Sequence, residues 1–160
     1  MKILLLASLL LPLSVGWLPA QNPAPAAPNA PAPAAATADA AVKHLNAPEA
    51  AKALSAAAES KAPEKAITII DVRTPEEFTE GHLKGAQNIS IASPDFEKSL
   101  AKLDPAKTYL VHCGSGGRST RSLATFSKLG FKSVIHLDGG MKAWKAAKLP
   151  VEKTDAAPAN

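Results

Sequence analysis

Five short runs rich in β-branched and other apolar residues, separated by stretches of helical character, constrain this chain more than any other feature. The runs are Val42 to Leu45, Ile67 to Asp71, Ala86 to Ile89, Thr108 to His112 and Ser133 to Leu137. Chains that alternate such runs with helices form a mostly parallel sheet covered by helices on both faces. Ala47 to Ser60 is Ala-rich with Leu54 on its apolar stripe, and Ser119 to Leu129 repeats Leu123, Phe126 and Leu129 close to helical spacing. Thr74 as N-cap and Pro75 at the first helical position open a short helix through Phe78, which Gly81 ends. Asp95 to Lys102 and Met141 to Ala147 read as two more helices. The expected fold class is α/β in three layers, with a parallel sheet between two layers of helices.

The alternation occupies only part of the 160 residues. Lys2, an apolar run from Ile3 to Leu11, Pro12 and a small-residue end at Ala20 have the parts of a secretory signal over residues 1–20. Ser8, Pro12, Ser14, Gly16 and Pro19 interrupt that stretch, which falls short of the ~20 continuous apolar residues of a membrane span. Cleavage after Ala20 is expected, with a retained anchor as the alternative and no stable membrane insertion once the signal is gone. Lipid attachment at an N-terminal cysteine is excluded, because the single cysteine lies far downstream. Residues 21–41 are almost wholly Ala and Pro, a composition that favours extended polyproline geometry and reads as a tether. The domain proper is expected over residues 42–153, followed by a frayed tail over 154–160.

Lys and Arg number 18 against 14 Asp and Glu, for a net charge of +4, and loss of Lys2 with the signal leaves +3. The lysines are scattered, so no nucleic-acid role is assigned. Export implies an oxidising compartment, yet one cysteine forms no internal bridge, and a lone exported thiol calls for a chemical reason. Between Tyr109 and Thr120 an apolar run delivers His112 and Cys113 into Gly114, Ser115, Gly116, Gly117, Arg118 and Ser119, where a helix begins. Closely spaced glycines let successive amides converge on one point as an anion nest, and the helix adds the positive end of its dipole. Such surroundings and a guanidinium lower a thiol pKa from about 8.5 by about two units. The cradle also stabilises charge on a sulfur attached to the cysteine or on a leaving anion. The bland alternative, a buried small hydrophobe, does not account for the glycine-rich loop and the arginine. In open α/β sheets ligands sit beyond the carboxyl ends of strands, where Cys113 is placed.

Cys113-Gly114-Ser115-Gly116-Gly117-Arg118-Ser119 resembles the active-site loop of the rhodanese family, Cys-x-Ser-Gly-x-Arg-Ser. Asp71-Val72-Arg73-Thr74-Pro75-Glu76-Glu77-Phe78 with Gly81-His82-Leu83 and Gly85-Ala86 is similar to its upstream signature, and Leu137-Asp138-Gly139-Gly140-Met141 with Trp144 to its closing motif. The resemblance implies a five-stranded parallel sheet in the order 3-2-4-5-1. It also implies sulfur transfer through a persulfide on Cys113 without a cofactor, from a small sulfur-containing anion to a thiol or cyanide, with a protein acceptor also open. The exported form is similar to small bacterial periplasmic thiosulfate sulfurtransferases, which places the domain in a periplasm. Two departures stand out. Gly114 occupies a position that is often basic in the family, and Lys84 replaces the usual proline of the second motif.

Gly114 to Ser119 are the candidate substrate-binding residues, with Arg118 orienting a dianionic donor through its fork. Asp71 and Arg73 share a strand face near the site and are expected to support it, with Arg73 pairing to Glu77. His82 and His112 are read as structural, and with His44 and His136 they are too dispersed to suggest a metal site. Asn88-Ile89-Ser90 matches a glycosylation sequon but falls in an expected strand. Two other readings remain open. One is a cysteine phosphatase or arsenate reductase, whose loops also begin His-Cys and end in Arg but place five residues between cysteine and arginine, against four here. The other is a rhodanese-fold binding module without catalysis.

Overall fold

The strands β1 (Ala41–Leu45), β2 (Ile67–Asp71), β3 (Gln87–Asn88), β4 (Thr108–His112) and β5 (Ser133–Leu137) form one sheet in the computed structural model, which describes residues 41–60 and 62–153. Every pairing is parallel and the order is β1-β5-β4-β2-β3, which read from the other edge is the expected 3-2-4-5-1. The expected signal over 1–20, the tail over 154–160 and all of the 21–41 tether except Ala41 lie outside the described residues. Ala41 itself opens β1, its amide donating to Lys132 O at 3.2 Å. Strand β3 is two residues long rather than four. Past Asn88 the side-chain amide donates to the carbonyls of Asp71 and Arg73 at 3.0 and 2.9 Å, tying the chain to β2 beyond the strand pairing.

The helices are α1 (Ala47–Glu59), α2 (Pro75–Thr79), α3 (Phe96–Leu100), α4 (Gly117–Lys128) and α5 (Gly140–Ala146), with a 3-10 turn at Pro63–Lys65. Two of the starts are fixed by reciprocal caps. At α1 the Asn46 side chain accepts from Glu49 N while Glu49 accepts from Asn46 N, and Thr74 and Glu77 repeat this at α2. Helix α4 begins two residues earlier than expected, at Gly117. Among the described residues no helix is long and apolar enough to cross a membrane.

Period-two alternation along the strands sorts the core into two clusters. Ile69, Leu110, Ile135 and Leu137 pack with Ala47 and Ala50 of α1 and Met141 and Trp144 of α5. Ile70, Tyr109, Val111 and Val134 pack with Phe96 and Leu100 of α3 and Phe126 of α4, and this second cluster includes Cys113. The three-layer expectation is met, and β4 lies at the centre of the sheet with its carboxyl end aimed into the loop before α4.

Tyr109, Phe126 and Phe131 meet edge to face in the second cluster, with Phe131 ring centroids 5.0 Å from Tyr109 and 4.9 Å from Phe126. Phe126 is fully buried. Replacing it with Ala is expected to lower unfolding free energy by about 3–5 kcal/mol, through lost burial and the cavity left behind, as read by denaturant titration.

Candidate functional site

Strand β4 ends at His112, and the chain then folds around the Cys113 side chain before entering α4. Of the loop glycines 114, 116 and 117, only Gly116 has positive φ, at 102°. This turn brings its amide to 3.1 Å from Cys113 Sγ. The other side of the loop is held by α5. Met141 N donates to Cys113 O at 2.8 Å and Lys142 N to Gly114 O at 2.9 Å. That clamp requires Gly140, which has φ 53° and leaves only 2.3 Å between an added Cβ and Cys113 O. The closing motif therefore shapes the loop by backbone contact.

Cys113 is 1% exposed and free. Ser119 Oγ lies 3.4 Å from its sulfur. Burial pushes the thiol pKa up, and the Ser119 hydroxyl with the amides of Ser119, Ser115 and Gly116 more than offsets this, leaving it below its ordinary value. The arrangement stabilises negative charge on sulfur through short dipoles, and the Arg118 guanidinium, itself paired with Glu77, interacts with the sulfur as well.

Arg118 does not point a free fork into this cradle. Its Nη1 and Nη2 donate to the two carboxylate oxygens of Glu77 at 2.5 and 2.7 Å, and that pairing holds Glu77 down to about 2. A Cβ at residue 114 would stand 3.2 Å from Arg118 Nη2 and 3.7 Å from Glu77 Oε1. Gly114 thus leaves room for the guanidinium to lie across the loop.

The expected Arg73 to Glu77 pair is corrected. Arg73 instead grips Asp71 through Nε and Nη2, with Nη2 at 2.6 Å from Oδ2 and 2.8 Å from Gly81 O. Both residues are buried, so the pair braces the turn after β2, and neither side chain is among the partners of Cys113 Sγ. The two-residue separation lets the guanidinium fold back onto the strand-end carboxylate, while Glu77, one turn into α2, faces Arg118. His112 Nε2 is 3.7 Å from Asp71 Oδ2 and has no hydrogen-bond partner, and burial lowers the His112 pKa, keeping the ring neutral. His82 stacks on Phe78 at 3.9 Å, and its backbone exchanges two hydrogen bonds with Glu152.

The expectation that His44 and His136 are dispersed is also corrected. Parallel pairing sets them side by side on β1 and β5, and both Nδ1 atoms share Asp138 Oδ1, at 2.9 and 2.8 Å. On its other side His136 Nε2 is 2.9 Å from Ser119 Oγ. This link between the closing motif and the cysteine depends on α4 packing against β5, which spacing along the chain does not carry. An apolar cleft of about 530 Å³ lined by Ala51, Leu54, Ile67, Leu83, Trp144 and Leu149 shares none of its walls with the Cys113 loop.

The fold and site define an α/β domain that presents a single cysteine in a hydrogen-bond cradle at the carboxyl end of a central parallel strand. The chain belongs to the rhodanese-like domain family, whose model matches residues 49–147. It is 38% identical over 84 residues to a protein of Mycobacterium tuberculosis named as a probable adenylyltransferase/sulfurtransferase, MoeZ, covering 52% of this chain but 21% of that one. It is 36% identical over 93 residues to thiosulfate sulfurtransferase 16, chloroplastic, of Arabidopsis thaliana, covering 52% of this chain and 78% of that one. Among solved structures, a rhodanese-related protein from Thermoplasma volcanium aligns with a TM-score of 0.57 at 27% identity, covering 69% of this chain and 97% of that one.

Gly140→Ala is expected to destabilise the domain by about 2 kcal/mol or more, because the methyl meets a carbonyl and the backbone resists positive φ. Gly117→Ala, with nothing within 4 Å of the added methyl, should instead raise stability by about 0.5–1 kcal/mol in the same melts. Glu77 titrates at about 2 when folded against an ordinary 4.5, so its contribution is full above pH 4.5 and is lost as pH falls through 2. With the side chains 30% and 36% exposed, screening reduces the pair to about 1 kcal/mol. Glu77→Gln should therefore cost that much at pH 7 and progressively less below pH 4.5 in acid-dependent unfolding.

Proposed function

We propose that this chain is a sulfurtransferase that carries sulfane sulfur as a persulfide on Cys113. The observation that carries the proposal is the thiol's environment. A lone sulfur accepts from the Gly116 amide and the Ser119 hydroxyl, has a lowered pKa, and is only 1% exposed. Cys113 thiolate attacks the outer sulfur of thiosulfate, a new S–S bond forms, the S–S bond of the donor breaks, and sulfite leaves with the electron pair. Cyanide or a thiolate then takes the outer sulfur and returns the Cys113 thiolate. The Gly116 amide and Ser119 hydroxyl hold the anionic sulfur, Gly114, Ser115 and Gly117 shape the approach, and Arg118, already paired with Glu77, adds a screened positive charge at the rim. Asp71 and Arg73 brace the turn after β2, which holds Glu77 where it meets Arg118.

The relatives named as thiosulfate sulfurtransferases support this reading. So does the small cradle, since four residues between Cys113 and Arg118 and a sheltered sulfur suit a slender terminal sulfur better than an aryl phosphate. The signal-like segment over 1–20 adds the proposal that the domain is exported and acts in a bacterial periplasm, tethered through 21–41.

Incubation with thiosulfate should add the mass of one sulfur to the intact protein, and cyanide should remove it. Cys113→Ser should take up none while keeping its fold. Sulfur loading in that variant, or hydrolysis of aryl phosphates by the unmodified protein that depends on Cys113, would overturn the reading.

A further inference from the structure

To supply the thiolate of the proposed reaction the Cys113 thiol has to lose its proton to something, and the structure offers a continuous path. Ser119 Oγ stands between Cys113 Sγ at 3.4 Å and His136 Nε2 at 2.9 Å. His136 Nδ1 is 2.8 Å from Asp138 Oδ1, so the carboxylate holds the proton on Nδ1 and leaves Nε2 as an acceptor facing the hydroxyl. Ser119 and His136 are both buried, which excludes bulk water from the middle of the path.

We infer that Ser119, His136 and Asp138 form a proton relay that activates Cys113. The Cys113 S–H bond breaks and its proton passes to Ser119 Oγ, while the hydroxyl's own proton passes to His136 Nε2. No electrons change owner and net charge is conserved, thiol and imidazole becoming thiolate and imidazolium. The new Ser119 O–H then points at the thiolate, and the new Nε2–H points at Ser119 Oγ. The relay rests on the sulfurtransferase reading for its purpose, though not for its geometry. Ser119 is a catalytic residue in this scheme, and His136 and Asp138 act through it.

The groups around His136 suit a transient positive charge. The loop after β5 presents Asp138, β1 presents His44, which shares Asp138 Oδ1, and the loop after β4 presents Cys113 through Ser119. Helix α4 and its cap present the Thr120 hydroxyl and the Gly116 carbonyl, each 3.3 Å from Nε2. That carbonyl competes for the Ser119 proton at 2.8 Å while His136 is neutral, and becomes a second acceptor for Nε2–H once the proton arrives. Through that same 3.4 Å contact the Ser119 hydroxyl draws the Cys113 pKa down against burial.

The test is the rate at which iodoacetamide alkylates Cys113 in the full chain from pH 5 to 9, followed by intact mass, beside sulfur uptake from thiosulfate. His136→Gln should slow alkylation near neutrality about three- to tenfold, the loss of one modest hydrogen-bonded coupling, and move the profile to higher pH. Ser119→Ala should do the same, and the double variant should be no worse than either single change, since both cut one wire. Asp138→Asn, at a half-exposed position, should shift the profile in the same direction by less. Unchanged profiles in His136→Gln and Asp138→Asn, or additive losses in the double variant, overturn the relay. Alkylation needs no sulfur donor, so a protein that takes up no sulfur yet shows these shifts would sink the sulfurtransferase reading and leave the relay standing.

Discussion

The carbonyl of Cys113 occupies the space that a side chain on residue 140 would need, and the rest of the site follows from that contact. With 2.3 Å between Cys113 O and an ideal Cβ on Gly140, α5 can begin directly against the loop, and its first amides take the carbonyls of Cys113 and Gly114. Fixing the carbonyls outward turns the amide side of the loop inward. Gly116 at φ 102° completes the turn and brings its N–H to the sulfur. A peptide unit carries its donor and acceptor on opposite edges, so the clamp on Gly114 O turns the Ser115 amide toward the sulfur, while the Gly116 amide is aimed by its own positive φ. The thiol's charge stabilisation is therefore built by backbone packing between α5 and the β4–α4 loop.

The two arginines divide the remaining electrostatics. Arg73 is buried against Asp71 and Gly81 O, an arrangement in which either charge alone would be costly to keep from water. It stiffens the chain between β2 and α2, which in turn holds Glu77 at the start of α2. Glu77 serves two elements, accepting from the Thr74 amide as part of the helix cap and from Arg118 across 41 residues of sequence. Cap and ion pair are thus one device joining α2 to the loop. Gly114 belongs to it as well, because a larger residue there would press on the guanidinium.

Much of the fold was legible because strand signals depend on short-range pattern. Ile67 to Asp71, Thr108 to His112 and Ser133 to Leu137 were bounded correctly, since apolar runs between turn residues mark buried strands without knowledge of their neighbours. Cys113 stood out by its loop chemistry for the same local reason. The order of the strands came from the family resemblance, as periodicity carries no information on which strand pairs with which. What stayed hidden was every feature that needs that pairing. Nothing near His44 in sequence announces His136, 92 residues away, yet their strands are in register at those two positions. Proximity in sequence pairs Arg73 with Glu77, whereas the strand end places its acid partner, Asp71, two residues behind it.

A sulfur this sheltered raises the question of why chemistry would tolerate the loss of access. Desolvation alone works against ionisation and is the largest single influence on Cys113, because water is the best solvent for a thiolate. The same exclusion strengthens each dipole that remains, so a single amide at 3.1 Å and a hydroxyl at 3.4 Å count for more than they would at a surface. An anion that spreads over two sulfurs needs less solvation than a compact one. In the proposed sulfurtransferase reaction, burial therefore penalises the free thiolate more than the persulfide. On that proposal, the shelter that makes the empty thiolate costly is the same feature that suits the site to a two-sulfur anion.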